Sequence, residues 1–201
     1  EFIDKILSKL NIKYLMVGDD FKFGKERSGD FDFLSDWGSN NQIEVDRIPT
    51  HSFEGRRVSS TWIRESIADG NFDLAAKLLD RRYTFSGKVV FGNKVGRTIG
   101  VPTANIWVPK SNLPIKGVYA VKALVKGETF NGIANMGVRP TVGGTSPVLE
   151  IHIFDFNEEI YGCRIEVEFY QKIRNEKKFE NLDKLKEQIN LDIAETRKYF
   201  S

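Results

Sequence analysis

Five short segments of alternating apolar and polar residues lie between residues 83 and 173, separated by glycine, proline and asparagine. Their sequences are YTFSGKVVFG, GVYAVKALVKG, TFNGIANMG, VLEIHIFDF and CRIEVEFYQKI. Short strands at this spacing are typical of an antiparallel barrel or sandwich. A helix is predicted after them, where the capping residue Asn181 precedes an apolar stripe. The members of that stripe are Leu182, Leu185, Ile189 and Ile193.

The first 80 residues have a different pattern, in which helical and strand segments alternate. The apolar run at 14–17 ends in a polar, glycine-containing turn, as the buried strands of α/β sheets do. The predicted helices are 1–10, 30–37, 59–69 and 72–79, and the predicted strands are 14–17 and 42–49. The change of pattern near residues 80–82 predicts a boundary between an α/β domain, 1–80, and a β domain, 81–201.

Charge and cysteine content narrow the classes of function. The 201 residues include 30 basic and 28 acidic side chains, and the formal charge of +2 creates no global field for nucleic acid. The single cysteine, Cys163, excludes an internal disulfide framework or a cysteine-based zinc cluster, and it favours a cytoplasmic location. Apolar runs stay below the roughly 18 residues of a membrane span, and we expect no signal peptide. Neither nucleic acid nor a membrane is therefore expected as a partner.

The stretch FGNKVGRTIGVPTAN, residues 91–105, joins a glycine-rich loop to two polar residues. Glycines let backbone N–H groups approach a ligand closely, and basic side chains add charge for a phosphate. Thr103 and Asn105 are two apart in an extended chain, so they point to the same side, and their oxygens suit magnesium. The loop residues predicted to contact a phosphate are Gly92, Lys94, Gly96, Arg97 and Gly100. A hairpin loop with a capping threonine and asparagine also fits this spacing.

The stretch VLEIHIFDF, residues 148–156, places a carboxylate on a predicted strand. Ile151 and Ile153 face one side of that strand, so Glu150 and His152 face the other. A carboxylate that projects from a barrel strand into a phosphate site is suited to act as a general base on a hydroxyl. The alternative is an exposed glutamate beside a half-exposed histidine.

Two further segments carry candidate ligand contacts. VSSTWIRESI, residues 58–67, offers hydroxyl groups at a helix N-terminus, where the dipole favours anions, although N-capping explains one of them. KIRNEKKFENLDKL, residues 172–185, contains a basic run that either steers an anionic ligand or forms a solvated loop. The candidates are Ser59, Ser60, Thr61 and Arg64 in the first segment, and Arg174, Lys177 and Lys178 in the second.

Taken in order, these segments resemble the bacterial bifunctional riboflavin kinase/FMN adenylyltransferases, also called FAD synthetases. GRTIGVPTAN contains the kinase's P-T-A-N motif, and GVYAV, GIANMGVRPT, LEIHIFDF, IYGCRIEVEF and KIRNEKKF follow in the family's order. This resemblance implies a small antiparallel Greek-key β-barrel with a C-terminal helix. VGDDFKFGKERSGD and VSSTWIRESIADG resemble the second half of the adenylyltransferase domain. They imply an α/β, Rossmann-like nucleotidyltransferase remnant over residues 1–80.

The resemblance also implies an activity, in which the γ-phosphate of ATP is transferred to the 5′-hydroxyl of riboflavin to give FMN. On the matching positions, Glu150 is the catalytic base, and Thr103 and Asn105 hold Mg²⁺. The glycine-rich loop and Thr103 would bind ATP. The flavin ring is expected near Arg174, Lys178 and Phe179. The implied partners are riboflavin, FMN, ATP and ADP.

The adenylyltransferase part lacks the family's paired-histidine motif, because the histidines of this sequence are His51 and His152 alone. We therefore expect this chain to adenylylate FMN to FAD inefficiently, although the family carries out that reaction. A half-domain would also leave sheet edges and apolar surface uncovered, which favours self-association. The nucleotide contacts that the remnant retains are Ser59, Ser60, Thr61 and Arg64.

Two other functions agree with parts of the sequence. Adenylyl transfer alone would use SSTWIR, but the missing histidine motif argues against it. A flavin-binding module would hold FMN without turnover, but such a module needs neither a catalytic base nor a pair of metal-binding side chains. The nucleotide dependence of riboflavin consumption separates a binding module from a kinase.

Overall fold

The computed structural model describes residues 2–92, 95–109, 113–141 and 144–201. The chain separates into two compact units, Glu1–Val58 and Ser59–Ser201. This division differs from the predicted boundary near residue 80, because two helices before that boundary bury their apolar faces with the interior of the second unit. The boundary at residue 80 between two family domains stays a prediction.

The described part of the first unit contains two parallel strands and a connecting helix. Strand β1 is Tyr14–Gly18, strand β2 is Glu44–Ile48, and Leu15 lies opposite Val45 in their register. Parallel strands need a crossover connection, which helix α2, Phe31–Asn40, supplies. The remaining elements are helix α1 Phe2–Lys5, 3₁₀ turns Leu7–Lys9 and Lys25–Arg27, and a short hairpin of β3 Ser52–Phe53 with β4 Arg56–Arg57.

The helix predicted over residues 1–10 is wrong in its length, because α1 ends at Lys5 and a 3₁₀ turn follows. The hydroxyl of Ser8 donates to the carbonyl of Ile3 at 3.1 Å, and such side-chain bonds compete with the regular helical ladder. Ile3 and Leu7 are nevertheless buried, whereas Ile6 and Leu10, which the apolar pattern places on the same face, are 50% and 57% exposed.

Six strands of the described part of the chain form a closed antiparallel barrel. They are β5 Thr84–Val90, β6 Ala104–Trp107, β7 Gly117–Val125, β8 Glu128–Thr141, β9 Gly144–Ile153 and β10 Arg164–Arg174. Their order around the barrel is β10-β5-β6-β9-β8-β7. The hairpins β7-β8-β9, with β10 returning to pair with β7, form a Greek key, which confirms the predicted architecture.

Two helices before the barrel, α3 Ser60–Ala68 and α4 Phe72–Leu79, lie within the predicted helical segments 59–69 and 72–79. The side chain of Ser59 accepts from the Trp62 amide at 3.2 Å, and that of Asn71 accepts from the Leu74 amide at 3.0 Å. The Phe72 ring is 1% exposed and lies in one buried cluster with the barrel interior. Its centroid is 5.7 Å from that of Phe169. Residues 60–79 therefore help to close the barrel core.

We expect Phe72→Ala to destabilise the second unit by about 3–5 kcal/mol, because it leaves a cavity among aromatic rings. Urea unfolding of this variant, followed by near-UV circular dichroism, measures the loss. The matched control is Phe91→Ala, whose ring is 74% exposed. Equal midpoints for the two variants would show that α4 does not contribute to the barrel core.

The last helix, α6 Leu182–Phe200, begins at Asn181, whose side chain accepts from the Lys184 amide at 2.9 Å. It covers part of the outer barrel surface, where Ile193 packs on a small cluster of Val118, Ile133 and Phe154. Leu182 is 56% exposed, so the packed stripe begins one turn later than predicted. No helix in the described ranges is long and apolar enough to cross a membrane.

Candidate active site

Three polar side chains lie next to one another across neighbouring barrel strands. In the strand register, Asn105 on β6 pairs with Glu150 on β9, and Glu150 pairs with Asn135 on β8. Leu149 and Ile151, the neighbours of Glu150 along β9, are fully buried in the barrel interior. Side chains alternate along a strand, so these three residues, called here the polar row, face outward. The predicted orientation of Glu150 is thus confirmed.

The glycine-rich loop lies directly against the two residues predicted to hold a metal. A β-carbon on Gly92 would collide with the side-chain amide of Asn105. A β-carbon on Gly96 would collide with the carbonyl of Val101 and would lie 3.3 Å from the Thr103 hydroxyl. Only glycine allows this close approach, which is the physical reason for both residues.

Asn105 is 4% exposed, and its Nδ2 donates to the Thr103 carbonyl at 3.4 Å. This bond fixes the orientation of the amide group relative to the preceding turn. Beside it, Nδ1 of His152 lies 2.8 Å from the carbonyl of Pro102. Since a carbonyl only accepts, Nδ1 carries the proton in this bond and ties the turn to β9.

A cavity of about 370 Å³, called here the first cavity, lies between this outer barrel face and α6. Glu150, Asn135 and Thr103 contribute polar groups to its wall. Its other lining residues include Ile99, Val101, Val118, Ile133, Leu185 and Ile189, together with Arg174 and Phe179 before the helix. An apolar cavity with a few convergent polar groups is typical of a small-molecule site.

A second cavity of about 160 Å³ lies on the other side of the Pro102–Thr103 turn. Arg97 and Tyr161 line it, and the ring of Tyr161 stacks on that of Phe91 with centroids 4.1 Å apart. Thr103 lines both cavities, whereas Glu150 lines the first. The turn carrying Thr103 is therefore a shared wall between two sites.

The remaining predicted residues are distributed unevenly. Gly96 lines the first cavity, and Arg97 lies on the four-residue helix α5, Val95–Thr98. Gly100 ends the loop with φ of +83°, and Lys94 lies outside the described residues. Lys178 is exposed and is absent from the described lining of either cavity.

The segment around Ser59 stands apart from both cavities. The Ser59 hydroxyl caps α3, so N-capping, the alternative to ligand binding in this segment, accounts for this hydroxyl. Ser60, Thr61 and Arg64 follow as exposed residues of that helix. None of the four belongs to the described lining of the first or second cavity, and their nucleotide role stays a prediction.

Sequence patterns missed three residues of this site. Asn135 completes the polar row, but it lies on a different strand from Glu150 and only the register brings them together. Asp192 lines the first cavity from α6, where it is 3% exposed. Glu176 also lines that cavity. The segment GIANMGVRPT contains Asn135, so the polar position inside an apolar strand was the available signal.

Family models match both parts of the chain. The riboflavin kinase model matches residues 79–200, and the FAD synthetase model matches residues 1–62. A crystal structure titled as a macrolide-efflux protein from Streptococcus pneumoniae is similar, with a TM-score of 0.76 and 35% identity. The similarity covers 98% of this chain and 64% of that one.

Curated relatives named bifunctional riboflavin kinase/FMN adenylyltransferase are similar over nearly the whole chain. The relative from Haemophilus influenzae is 48% identical over all of this chain and 66% of its own length. Those from Pseudomonas fluorescens and Bacillus subtilis are 44% and 38% identical, over 64% and 65% of their lengths. The chain thus spans about two thirds of the length of these relatives. With the kinase model matching more than half of its residues, the chain belongs to the riboflavin kinase family.

Proposed function

We propose that the chain is a riboflavin kinase that transfers the γ-phosphate of ATP to the 5′-hydroxyl of riboflavin. The observation that supports this most directly is the shared wall at Thr103. One side chain borders two cavities, and the Glu150 carboxylate borders one of them. A transfer between two bound molecules requires this arrangement, whereas a module that only holds a flavin does not.

The flavin belongs in the first cavity. Its volume of about 370 Å³ lies within the range of ligand pockets, and its wall is mostly apolar, as a flat aromatic ring requires. Phe179 offers an aromatic face near the start of α6. With the ring against Phe179, the ribityl chain runs along the barrel face toward Glu150 and Asn135.

The nucleotide belongs in the second cavity, where Arg97 supplies positive charge. Two carboxylates also line this cavity, and one of them is paired with Lys126 at 2.7 Å; they are Glu158, the paired one, and Glu159. The stacked pair Phe91–Tyr161 stands at the border of this cavity and offers an aromatic surface to a base. Gly92 and Gly96 lie against Asn105 and the Thr103 turn, so their own backbone N–H groups are placed to bind phosphate oxygens.

A magnesium ion fits the oxygen donors of Thr103 at the shared wall and of Asn105, which follows it on β6 and is outside the described lining of both cavities. Thr103 and Asn105 carry neutral oxygen ligands, and Mg²⁺ usually takes few protein ligands and keeps water and phosphate oxygens. Among the described residues, no group of three or more His, Cys, Asp or Glu side chains could hold a metal ion. When bound with ATP, the ion neutralises charge that develops on the phosphates. The side chains of Thr103 and Asn105 would hold it.

The chemical step then assigns one role to each group of this chain. Glu150 accepts the proton of the riboflavin 5′-hydroxyl while that oxygen forms a bond to the γ-phosphorus. The bond between the γ-phosphorus and the β,γ-bridging oxygen breaks, and ADP leaves. Arg97 and the loop N–H groups stabilise charge on the phosphates, and the apolar wall of the first cavity excludes water from the flavin side.

The test is a product assay with riboflavin, ATP and Mg²⁺, in which flavins are separated by chromatography. We expect FMN and an equal amount of ADP. A matched incubation without ATP should leave riboflavin unchanged. Riboflavin that binds but is not converted in the presence of ATP would contradict the kinase function and favour the flavin-binding module. Any FAD in the same chromatogram reports separately on adenylyl transfer, whose low efficiency stays a prediction, as does self-association.

A further inference from the structure

A buried ion pair joins the end of β10 to the middle of α6 at the wall of the first cavity. Nε of Arg174 donates to both carboxylate oxygens of Asp192, at 3.0 and 2.9 Å, and NH2 lies 2.8 Å from Oδ2. The side chains are 21% and 4% exposed, respectively. A two-pronged arginine–carboxylate pair of this kind has a defined geometry as well as charge.

The acceptor sites of Asp192 are taken up by protein donors. Besides Arg174, Nε2 of Gln188 donates to Oδ1 at 2.9 Å. The backbone carbonyl of Asp192 accepts from the Thr196 hydroxyl at 2.8 Å. Although Asp192 lines the cavity, these bonds make it a poor partner for a ligand and a firm anchor for α6.

Arg174 is engaged on its other side with the segment that precedes α6. NH1 donates to the carbonyl of Asn175 at 3.0 Å, which fixes the backbone where β10 ends. The guanidinium carbon lies 5.7 Å from the ring centroid of Phe179, and Nζ of Lys177 lies 5.9 Å from it. Both distances are within the range of cation–π contacts. Arg174 thus orients the aromatic ring that borders the cavity.

We propose that Asp192 is a positioning residue for the flavin: through Arg174 it holds Phe179 and the first turns of α6 in place against the first cavity. This inference rests on the proposed function for its ligand, and it replaces a direct flavin contact of Arg174 by an indirect role. It also predicts that the ion pair affects riboflavin binding and leaves ATP binding nearly unchanged. The ion pair borders the first cavity, and neither partner belongs to the described lining of the second.

The test uses Asp192→Asn in the whole chain, with riboflavin affinity measured by quenching of riboflavin fluorescence in the absence of nucleotide. We expect the Kd for riboflavin to rise about tenfold, because truncating a buried charge pair frees Arg174 from its fixed geometry. In steady-state assays KM for riboflavin should rise by a similar factor, while KM for ATP changes less than about twofold. A general loss of structure would raise both constants.

The matched control is the second ion pair between α6 and the barrel. Arg197 donates to both oxygens of Asp155 at 3.0 and 2.9 Å, and both side chains are exposed. The hydrogen bond from Arg197 lowers the pKa of Asp155 below its ordinary value, so this pair is also charged. Asp155→Asn should change riboflavin Kd less than about twofold, since exposed pairs contribute little.

A milder variant keeps the inference testable if Asp192→Asn does not fold. Gln188→Leu removes one donor to Asp192 and leaves the ion pair itself, and we expect a rise of about threefold in riboflavin Kd. Unchanged riboflavin Kd in Gln188→Leu and in any folded Asp192→Asn protein, or an equal rise in KM for ATP, would overturn the inference. Wild-type chain that binds riboflavin but forms no FMN would instead count against the kinase function alone.

Discussion

Replacing Glu150 by glutamine should lower kcat by about 10²–10⁴-fold, the usual contribution of a general base. Glutamine keeps the size of the side chain and its place in the polar row, but it cannot accept the proton of the riboflavin hydroxyl. ATP binding should persist, because Glu150 lines the first cavity and not the described part of the second. Single-turnover formation of FMN, together with nucleotide binding by calorimetry, measures both effects.

The control for this variant is Glu166→Gln, an exposed carboxylate on barrel strand β10, which does not pair with β9. It tests whether loss of any negative charge from the barrel has the same effect. Turnover by Glu150→Gln at the rate of this control would remove Glu150 from the role of base. A parallel loss of ATP binding would indicate that the carboxylate holds the nucleotide instead.

The second large effect is expected for Thr103→Val, which exchanges a hydroxyl for a methyl group of nearly equal size. The residue borders both cavities, so its oxygen is placed to act where the two substrates meet. Loss of a ligand to the metal–phosphate group should lower kcat/KM for ATP by roughly 100-fold, since such clamps supply several kcal/mol. We also expect a higher Mg²⁺ concentration for half-maximal activity.

Thr129→Val is the matched control, because Thr129 is an exposed residue near the turn that joins β7 to β8. Melting temperatures of the two variants should agree, which separates loss of chemistry from loss of packing. Thr103→Val with activity and Mg²⁺ dependence equal to those of the control would remove the hydroxyl from the site.

Residue pattern and spacing were sufficient for the antiparallel strands of the barrel and for the strand face on which Glu150 lies. The alternation of VLEIHIFDF placed Glu150 on the opposite face from Ile151, and the structure has that arrangement. The joint role of Thr103 and Asn105 was inferred from an extended backbone and stays a prediction. Their substrate came only from the ordered resemblance, since neutral oxygen ligands alone do not distinguish one phosphate compound from another.

The features that sequence did not reveal depend on long-range packing. Helices α3 and α4 were correctly predicted, but an apolar face does not state what covers it, and Phe72 packs with Phe169, far along the chain. Asn135 and Glu150 meet through strand register. Asp192 resembles any charged residue of an amphipathic helix until the position of Arg174 is known. Each of these contacts joins residues on different elements, which a sequence pattern within one element does not reveal.

The alternation along β9 has an evolutionary consequence. Leu149 and Ile151 fill the barrel, while Glu150 between them faces the first cavity. Substitutions can therefore change substrate preference and thermal stability at different positions of the same strand. Selection for a new flavin analogue would accumulate substitutions at the outward-facing positions of β9, such as Glu150. Selection for heat tolerance would accumulate them at the inward-facing positions, such as Leu149 and Ile151.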